Sequence, residues 1–348
     1  MNRQSRRHFI QSCFYLALSG FFLFPAISAA SSGKTAKKAR IDPSFEPAYL
    51  KLHRNGELKK RGDALWGMME SCRLCPRECG VNRLAGAKGF CQGTASLMVS
   101  SFHPHFGEER PLVGKGGSGT VFFSNCNLRC VFCINWQISQ GGMGESKSIE
   151  QLAAMMIHLQ DIGCHNINVV TPTHYSPHIL LAVDHAAGKG LRLPVVYNTS
   201  GWEKMDILEK LDGVIDIYLP DFKYADAAMA DKFSLGAGTY PEVTKKALLE
   251  MHRQVGVAKP ARDGLMYRGL MIRHLVMPNH VSGTKAVMEW ISDNLPKDTY
   301  MNIMSQYRPA YKASQFPEIS RGLTVKEYRE AVEWAKKANL VNLDLQGM

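Results

Sequence analysis

The sequence predicts an α/β protein: a partial (β/α)6 TIM-like barrel preceded by an N-terminal cysteine-rich metal-binding extension. Two observations predict it. Short apolar runs rich in β-formers alternate with amphipathic helical patterns downstream of residue 113. The first of those runs leads directly into a cysteine loop, Cys126-Asn-Leu-Arg-Cys130-Val-Phe-Cys133. Strand, ligand loop and helix in that order form the opening unit of a β/α barrel, with its site at the strand's C-terminal end. A chain of 348 residues can bury one core of about 200–250 residues plus appendages.

Residues 1–30 read as a targeting segment. Ser5-Arg6-Arg7-His8-Phe9-Ile10 matches the twin-arginine export pattern, an apolar stretch over 13–27 follows, and Ala26, Ser28, Ala29 and Ala30 offer a signal-peptidase site. Cys13 is not a lipoprotein cysteine, because the apolar region comes after it. The alternative is an uncleaved anchor of marginal length, since roughly twenty apolar residues span a bilayer. The expected location is therefore the periplasm by twin-arginine export, or anchorage facing the periplasm, with membrane contact only if the signal is retained. That route carries folded proteins, so it suits a chain that receives its metal in the cytoplasm.

Residues 31–65 are basic, polar and only locally periodic, which predicts a linker with a short helix. Residues 66–112 form a cysteine-rich module: Cys72-Arg-Leu-Cys75-Pro-Arg-Glu-Cys79, with Cys91 after Gly89-Phe90. Close pairs with Gly and Pro between them aim thiols at one point. Four thiolates suit zinc or an iron–sulfur cluster equally. Disulfides are the weaker reading, because folding precedes export. His103 and His105, two apart in what reads as a loop, have no third partner and are expected to be structural. Gly114-Lys-Gly-Gly-Ser-Gly119 is not a phosphate loop: the order GxxxxGK[ST] is absent, and the glycines precede a strand. They are expected to permit a tight entry into the first barrel strand.

Over 113–348 strands are expected at 120–124, 166–171, 193–198, 214–219, 269–276 and 300–305. Helices are expected at 148–162, 179–187, 204–211, 243–255 and 285–294, with a last one from the Thr324/Glu327 capping box to near Ala338. The first opens on a Ser148/Gln151 capping box and aligns Ile149, Leu152, Ala153, Met156 and Ile157 on one face. Six units fall short of eight, so the barrel is expected to be open. Cys164, alone between a helix and a strand, is expected to be an inert core thiol.

Three cysteines at CxxxCxxC spacing leave a cubane 4Fe–4S cluster one ligand short, since thiolates normally hold all four irons. A zinc knuckle is the bland alternative, but no nearby His or Cys completes its usual set of four. The loop, including Phe132 before the last cysteine, resembles that of the radical SAM enzymes. The resemblance implies that the free iron binds S-adenosylmethionine and that the pair generates a 5′-deoxyadenosyl radical. The segment from Cys72 to Arg83 and the stretch Gly107-Glu-Glu-Arg-Pro-Leu112 are similar to uncharacterised proteins related to pyruvate formate-lyase activating enzyme. At full value that resemblance implies an activating enzyme, a glycyl residue of a partner protein as substrate, and an electron donor protein.

Strand ends are where such a site takes its remaining groups. Thr171-Pro-Thr173-His174 stands where the radical SAM family usually has a Gly-Gly-Glu-type turn toward the amino group of S-adenosylmethionine; the glycines are missing here. Asn198 and Ser200 offer polar groups suited to a ribose, and turn capping is the equal alternative for all of these. Pro220-Asp221-Phe-Lys223 resembles the Asp-x-Lys step of the activating enzymes. Asp216 is expected to point inward with Arg273 or His274 as partner, and only one of those two can face inward. The resemblance places cationic groups of that strand near the S-adenosylmethionine carboxylate.

The net charge of +11 comes without a Lys/Arg run interleaved with aromatics, so no nucleic-acid partner is expected. A basic surface suits an acidic protein partner or solubility. The rival reading is an exported iron–sulfur electron-transfer protein that does not cleave S-adenosylmethionine. The two cysteine sets and the signal support it, whereas a full set of strands with polar ends argues against it.

Overall fold

Every expected barrel strand forms in the computed structural model, which describes residues 44–345. The strands are β1 (Leu97–His105), β2 (Ser118–Phe123), β3 (Glu145–Lys147), β4 (Ile167–Val170), β5 (Val195–Thr199), β6 (Ile217–Pro220), β7 (Gly269–Leu275), β8 (Tyr300–Met304) and β9 (Leu343–Leu345). They make one mixed nine-stranded sheet in the order β3-β1-β2-β4-β5-β6-β7-β8-β9. From β2 onward every pairing is parallel, while β1 runs antiparallel to both β2 and β3. The six expected strands are β2 and β4 through β8. β1, β3 and β9 extend the sheet beyond them, and His103 and His105 therefore lie in a strand, not in a loop.

The crossovers are helical where the periodicity says so. Ser148 accepts from the Gln151 amide at 3.1 Å and its own amide donates to Gln151 at 2.8 Å, so the capping box starts the helix Ile149–Asp161. Thr324 and Glu327 do the same for Val325–Lys337. Helices Ser176–Gly188, Met205–Leu211, Ala227–Phe233, Tyr240–Val255 and Thr284–Asn294 also lie between parallel strands. All of them bury apolar residues with Val121, Val169, Tyr197, Ile272 and Ile303, which occupy one face of the sheet. On the other face Val196, Ile217, Leu219, Met271 and Tyr300 cluster with Leu112, Ala258 and Met266. Parallel strands laid down in chain order with their helices on one face leave the second face to be filled from elsewhere. A short turn, Arg110–Val113, carries Leu112 into that space. Leu112→Ala would cost about 2–5 kcal/mol, because the sheet cannot collapse onto the cavity.

The glycine run before β2 is needed for this packing. A Cβ at Gly116 would sit 2.0 Å from the Gly163 carbonyl oxygen, and one at Gly119 2.5 Å from that of Asn166.

Residues 44–65, expected as the end of a linker, differ. They carry the helices Tyr49–Arg54 and Glu57–Gly67. Tyr49 is buried and its hydroxyl donates to the Leu193 carbonyl at 3.0 Å, while the Ala48 amide donates to Asp216 at 2.8 Å. Gly62 lies so near Leu181 that a Cβ would come within 2.7 Å of it. The docking stripe of Tyr49, Leu50, Leu58 and Leu65 is sparse, which is why local periodicity understated it. The expected signal segment and residues up to 43 lie outside the described residues. Among the described residues no helix is long and apolar enough to cross a membrane.

Candidate active site

The loop after β2 holds Cys126, Cys130 and Cys133, and its backbone is pinned on three sides. Arg77, from the cysteine-rich module, donates to the carbonyls of Asn127 at 3.0 Å and Leu128 at 3.4 Å, and also to that of Ser234 at 2.8 Å. The Val131 amide donates to the Phe233 carbonyl, and the Lys312 amide to the Val131 carbonyl, each at 2.9 Å. Phe132 packs edge-on against Tyr224 and Tyr307, so the segment after β8 returns to cover the loop after β2. Asn125 and Arg129 adopt positive φ of 72° and 56°, which lets the chain turn tightly between thiols.

All three thiols are free. Burial pushes Cys126 up to about 11 and Cys130 up to about 12. Each nonetheless has groups that favour a thiolate: backbone amides of Arg129 and Leu128 on Cys126, Lys223 and the Ser234 hydroxyl on Cys130. Ser234 Oγ lies 3.2 Å from Cys130 Sγ, and Ser139 Oγ 3.2 Å from Cys133 Sγ. Desolvated thiols ringed by donors fit metal coordination, which removes the proton that burial otherwise retains. Among the described residues no three His, Cys, Asp or Glu side chains close around a single ion. A cubane makes a different demand, one thiolate per iron.

The strand ends bring some expected residues together and leave others apart. Arg273 donates to Asp221 at 2.8 Å and to Asn198 at 2.5 Å, and lies 3.6 Å from Glu108. Lys223 donates to the second Asp221 oxygen at 2.6 Å. Burial alone would raise Asp221, but Arg273 and Lys223 outweigh it and hold the carboxyl below its usual range. This is one buried network of two cations, Arg273 and Lys223, and two carboxylates, Asp221 and Glu108, beside Cys130. His274 points the other way, with Nδ1 2.6 Å from the Phe222 carbonyl and Nε2 2.9 Å from Thr284 Oγ1. Burial lowers it to about 4, so it is a neutral core histidine. The Asp216 expectation fails: its oxygens accept from the Ala48 and Val195 amides at 2.8 and 3.0 Å, and it pairs with neither Arg273 nor His274. With amides as its only donors, burial raises it to about 7.

Thr171 adopts φ 60°, a backbone conformation that glycine takes at no cost. Thr173 Oγ1 donates to Glu203 Oε1 at 2.6 Å, and Thr199 Oγ1 donates to the same oxygen. Glu203, unforeseen from sequence, is raised to about 7 by burial, against the opposing pull of the Thr173, Thr199 and Tyr197 hydroxyls. Its only sequence signal was a carboxylate four residues beyond a strand end. His174 Nε2 lies 3.0 Å from the Ser124 carbonyl, and burial lowers this histidine to about 3. Ser200 Oγ is buried without a hydrogen-bond partner among the described residues.

The second cysteine set adjoins this turn. Cys75 interacts electrostatically with Cys72, Cys79 and Cys91, and burial lifts it to about 12. A Cβ at Gly89 would stand 3.6 Å from Cys79 Sγ and 3.7 Å from Cys91 Sγ. The Phe90 amide donates to Cys79 Sγ at 3.2 Å and the Gly93 amide to Cys91 Sγ at 3.4 Å. Arg83 is fully buried, donates to the His174 carbonyl at 2.9 Å and lies 3.9 Å from Cys72 Sγ. Cys164 is buried and raised to about 11 with burial as the sole cause.

Residues 120–256 match the model of the radical SAM superfamily. An uncharacterized protein of Methanocaldococcus jannaschii, MJ0674, is 32% identical over 317 residues, 88% of this chain and 86% of that protein. The chain belongs to the radical SAM superfamily. A second M. jannaschii relative of this radical SAM protein, uncharacterized protein MJ0808, is 22% identical over 282 residues, covering 74% of the chain and 78% of that protein. A solved structure described as TYW1 with a lysine-pyruvate adduct bound aligns at a TM-score of 0.39 and 13% identity, covering 63% of this chain and 73% of that one. The superfamily match spans the Cys126–Cys133 loop, Thr171 to His174, Asn198 and Asp221 to Lys223. Arg273 and the second cysteine set lie outside it.

Proposed function

We propose that this chain reductively cleaves S-adenosylmethionine and removes a hydrogen atom from a substrate, with Cys126, Cys130 and Cys133 each holding one iron of a 4Fe–4S cluster. The observation that carries the reading is the three-thiol loop at the end of β2, with a hydroxyl, ammonium or amide group against each thiol, inside the superfamily match. When bound, the cluster and S-adenosylmethionine supply one-electron C–S bond cleavage and the 5′-deoxyadenosyl radical. The chain's own residues do the rest. Arg77 and the Phe233 and Lys312 backbone hold the loop rigid. Thr171, Thr173, His174, Asn198 and Ser200 line strand ends where the amino acid and ribose portions are expected. Arg273 and Lys223 keep a positive charge beside Asp221, suited to a carboxylate. Phe132, Tyr224 and Tyr307 exclude water from the loop.

In this reading β2 and β4 through β8 are a partial (β/α)6 barrel, and residues 66–112 an extension holding a second centre, zinc or iron–sulfur, on Cys72, Cys75, Cys79 and Cys91. Support for that centre is electrostatic. Arg83 is buried with no carboxylate in ion-pair range among the described residues, and a four-thiolate centre supplies the missing anion. The resemblance to activating enzymes points to a glycyl residue of a partner protein as substrate and to an electron donor protein. Export by Arg6 and Arg7 belongs to the same proposal.

Anaerobic reconstitution with iron and sulfide, then incubation with S-adenosylmethionine and a low-potential reductant such as dithionite and chromatography for 5′-deoxyadenosine, is the test. Formation in the native protein and its loss in Cys126→Ala, Cys130→Ala or Cys133→Ala are expected. A protein that binds iron yet yields no 5′-deoxyadenosine is the electron carrier. Native yield in any of the three variants removes the assignment.

A further inference from the structure

One hydrogen-bonded pair on the inner sheet face has two acceptors left over. Asn302 lies on β8 in register with Arg273 on β7. Glu109 enters from the turn that carries Leu112 to the same face. They are 3% and 5% exposed. Asn302 Nδ2 donates to Glu109 Oε1 at 2.8 Å. Glu109 Oε2 and Asn302 Oδ1 are both buried without hydrogen-bond partners among the described residues. Arg273, the nearest cation, is committed to Asp221, Asn198 and Glu108. Asn168, on the same face, likewise has neither amide atom satisfied among the described residues.

Buried polar atoms are nearly always paired, and each failure needs an explanation. With Glu109 ionised both free atoms accept, so an incoming group must donate at least twice within a small volume. An apolar group or an anion leaves them unmet. A primary ammonium offers three donors and a charge opposite to the carboxylate. We infer that Glu109 and Asn302 bind a primary ammonium group of the substrate, beside the Asp221–Arg273 network. This deepens the proposed function by naming a substrate class: it rests on that reading, and takes the sheet face that carries Asn302 and Arg273 as the one that meets substrate.

The test is thermal melting of the reconstituted full chain at constant ionic strength, with propylammonium, propanol or propionate as probe. A probe present at about ten times its dissociation constant should raise the native melting temperature by roughly 2 °C. Propylammonium alone is expected to do so. In Glu109→Gln the new amide keeps an acceptor toward Asn302 Nδ2 and supplies a donor to Asn302 Oδ1. That variant should therefore melt a few degrees higher than the native protein and lose the propylammonium response. A pair that is merely structural, completed by Arg273 or by water, gives the opposite: Glu109→Gln melts lower, or the three probes act alike. Either result overturns the inference. Formation of 5′-deoxyadenosine is measured separately on the native protein. Its absence with an intact propylammonium response ends the radical reading and leaves the ammonium site standing.

Discussion

Arg83 provides the sharpest quantitative expectation. It is fully buried, donates to Thr94 and His174 carbonyls at 2.7 and 2.9 Å, and lies 3.9 Å from Cys72 Sγ. A buried guanidinium with only carbonyl partners is a liability unless an anion sits nearby. At an effective dielectric of about 20, a unit negative charge at that range attracts it by about 4 kcal/mol. Spread over four sulfurs, the useful share is about 2–4 kcal/mol. Arg83→Met should therefore weaken metal binding at Cys72, Cys75, Cys79 and Cys91 by roughly 30- to 1,000-fold. Arg83→Lys, which keeps the charge but not the fork, should recover most of that loss. Chelator competition on the purified protein reads both. The metal-free protein should show the reverse order, with Arg83→Met melting no lower than native, because the uncompensated charge is gone. Equal metal affinities within threefold, or a strongly destabilised metal-free variant, would refute the argument.

Three further expectations follow from the same chemistry. Quadruple substitution of Cys72, Cys75, Cys79 and Cys91 by Ser should remove one metal centre and leave the iron of Cys126, Cys130 and Cys133 in place; metal analysis showing no loss contradicts the chelate. Burial holds Glu203 at about 7 in the folded protein, well above its free value, so its ionisation costs stability progressively as pH rises from about 4.5 to about 7 and fully above that. Glu203→Gln should gain on the native protein over that interval by up to about 3 kcal/mol, and a flat difference in chemical denaturation across it counts against the burial argument. Replacing Arg6 and Arg7 together by Lys should strand the protein in the cytoplasm with its cluster assembled; undiminished periplasmic protein on fractionation points to another route.

How much of this was legible depends on the range of the signal. The β4 to β8 runs and both capping boxes are local patterns, and each appears within a few residues of its expected place. β1 escaped because Leu97 to His105 alternates poorly, with its exposure set by partners on both sides. β3 and β9, three residues each, are too short to carry a period. One short helix was expected where Tyr49–Arg54 and Glu57–Gly67 form two, because few apolar residues fix them and their partners, Leu193 and Asp184, lie more than a hundred residues away.

The site shows the same division more sharply. Ligand spacing is written in the chain, so the cysteines could be named from sequence. Partnership is not. Asp216 and Arg273 looked complementary on adjacent strands, yet β6 turns Asp216 toward the helix face while Arg273 faces inward, two residues past Met271. The carboxylate that meets Arg273 is Asp221, one residue beyond the end of β6, where the chain leaves the sheet but keeps a bridge to β7. The same geometry explains why Glu203 was invisible: Thr173 and Thr199 reach it from two strand ends separated in sequence. Arg77 and Arg83 extend the point to the cysteine-rich module. Arg77 grips the Cys126–Cys133 loop and Arg83 the His174 turn, so neither strand end is held by the sheet alone. Metal at Cys72, Cys75, Cys79 and Cys91 would fix both arginines, and hence both walls of the Cys126–Cys133 site. Loss of that metal should then lower the yield of 5′-deoxyadenosine even with the iron of Cys126, Cys130 and Cys133 intact.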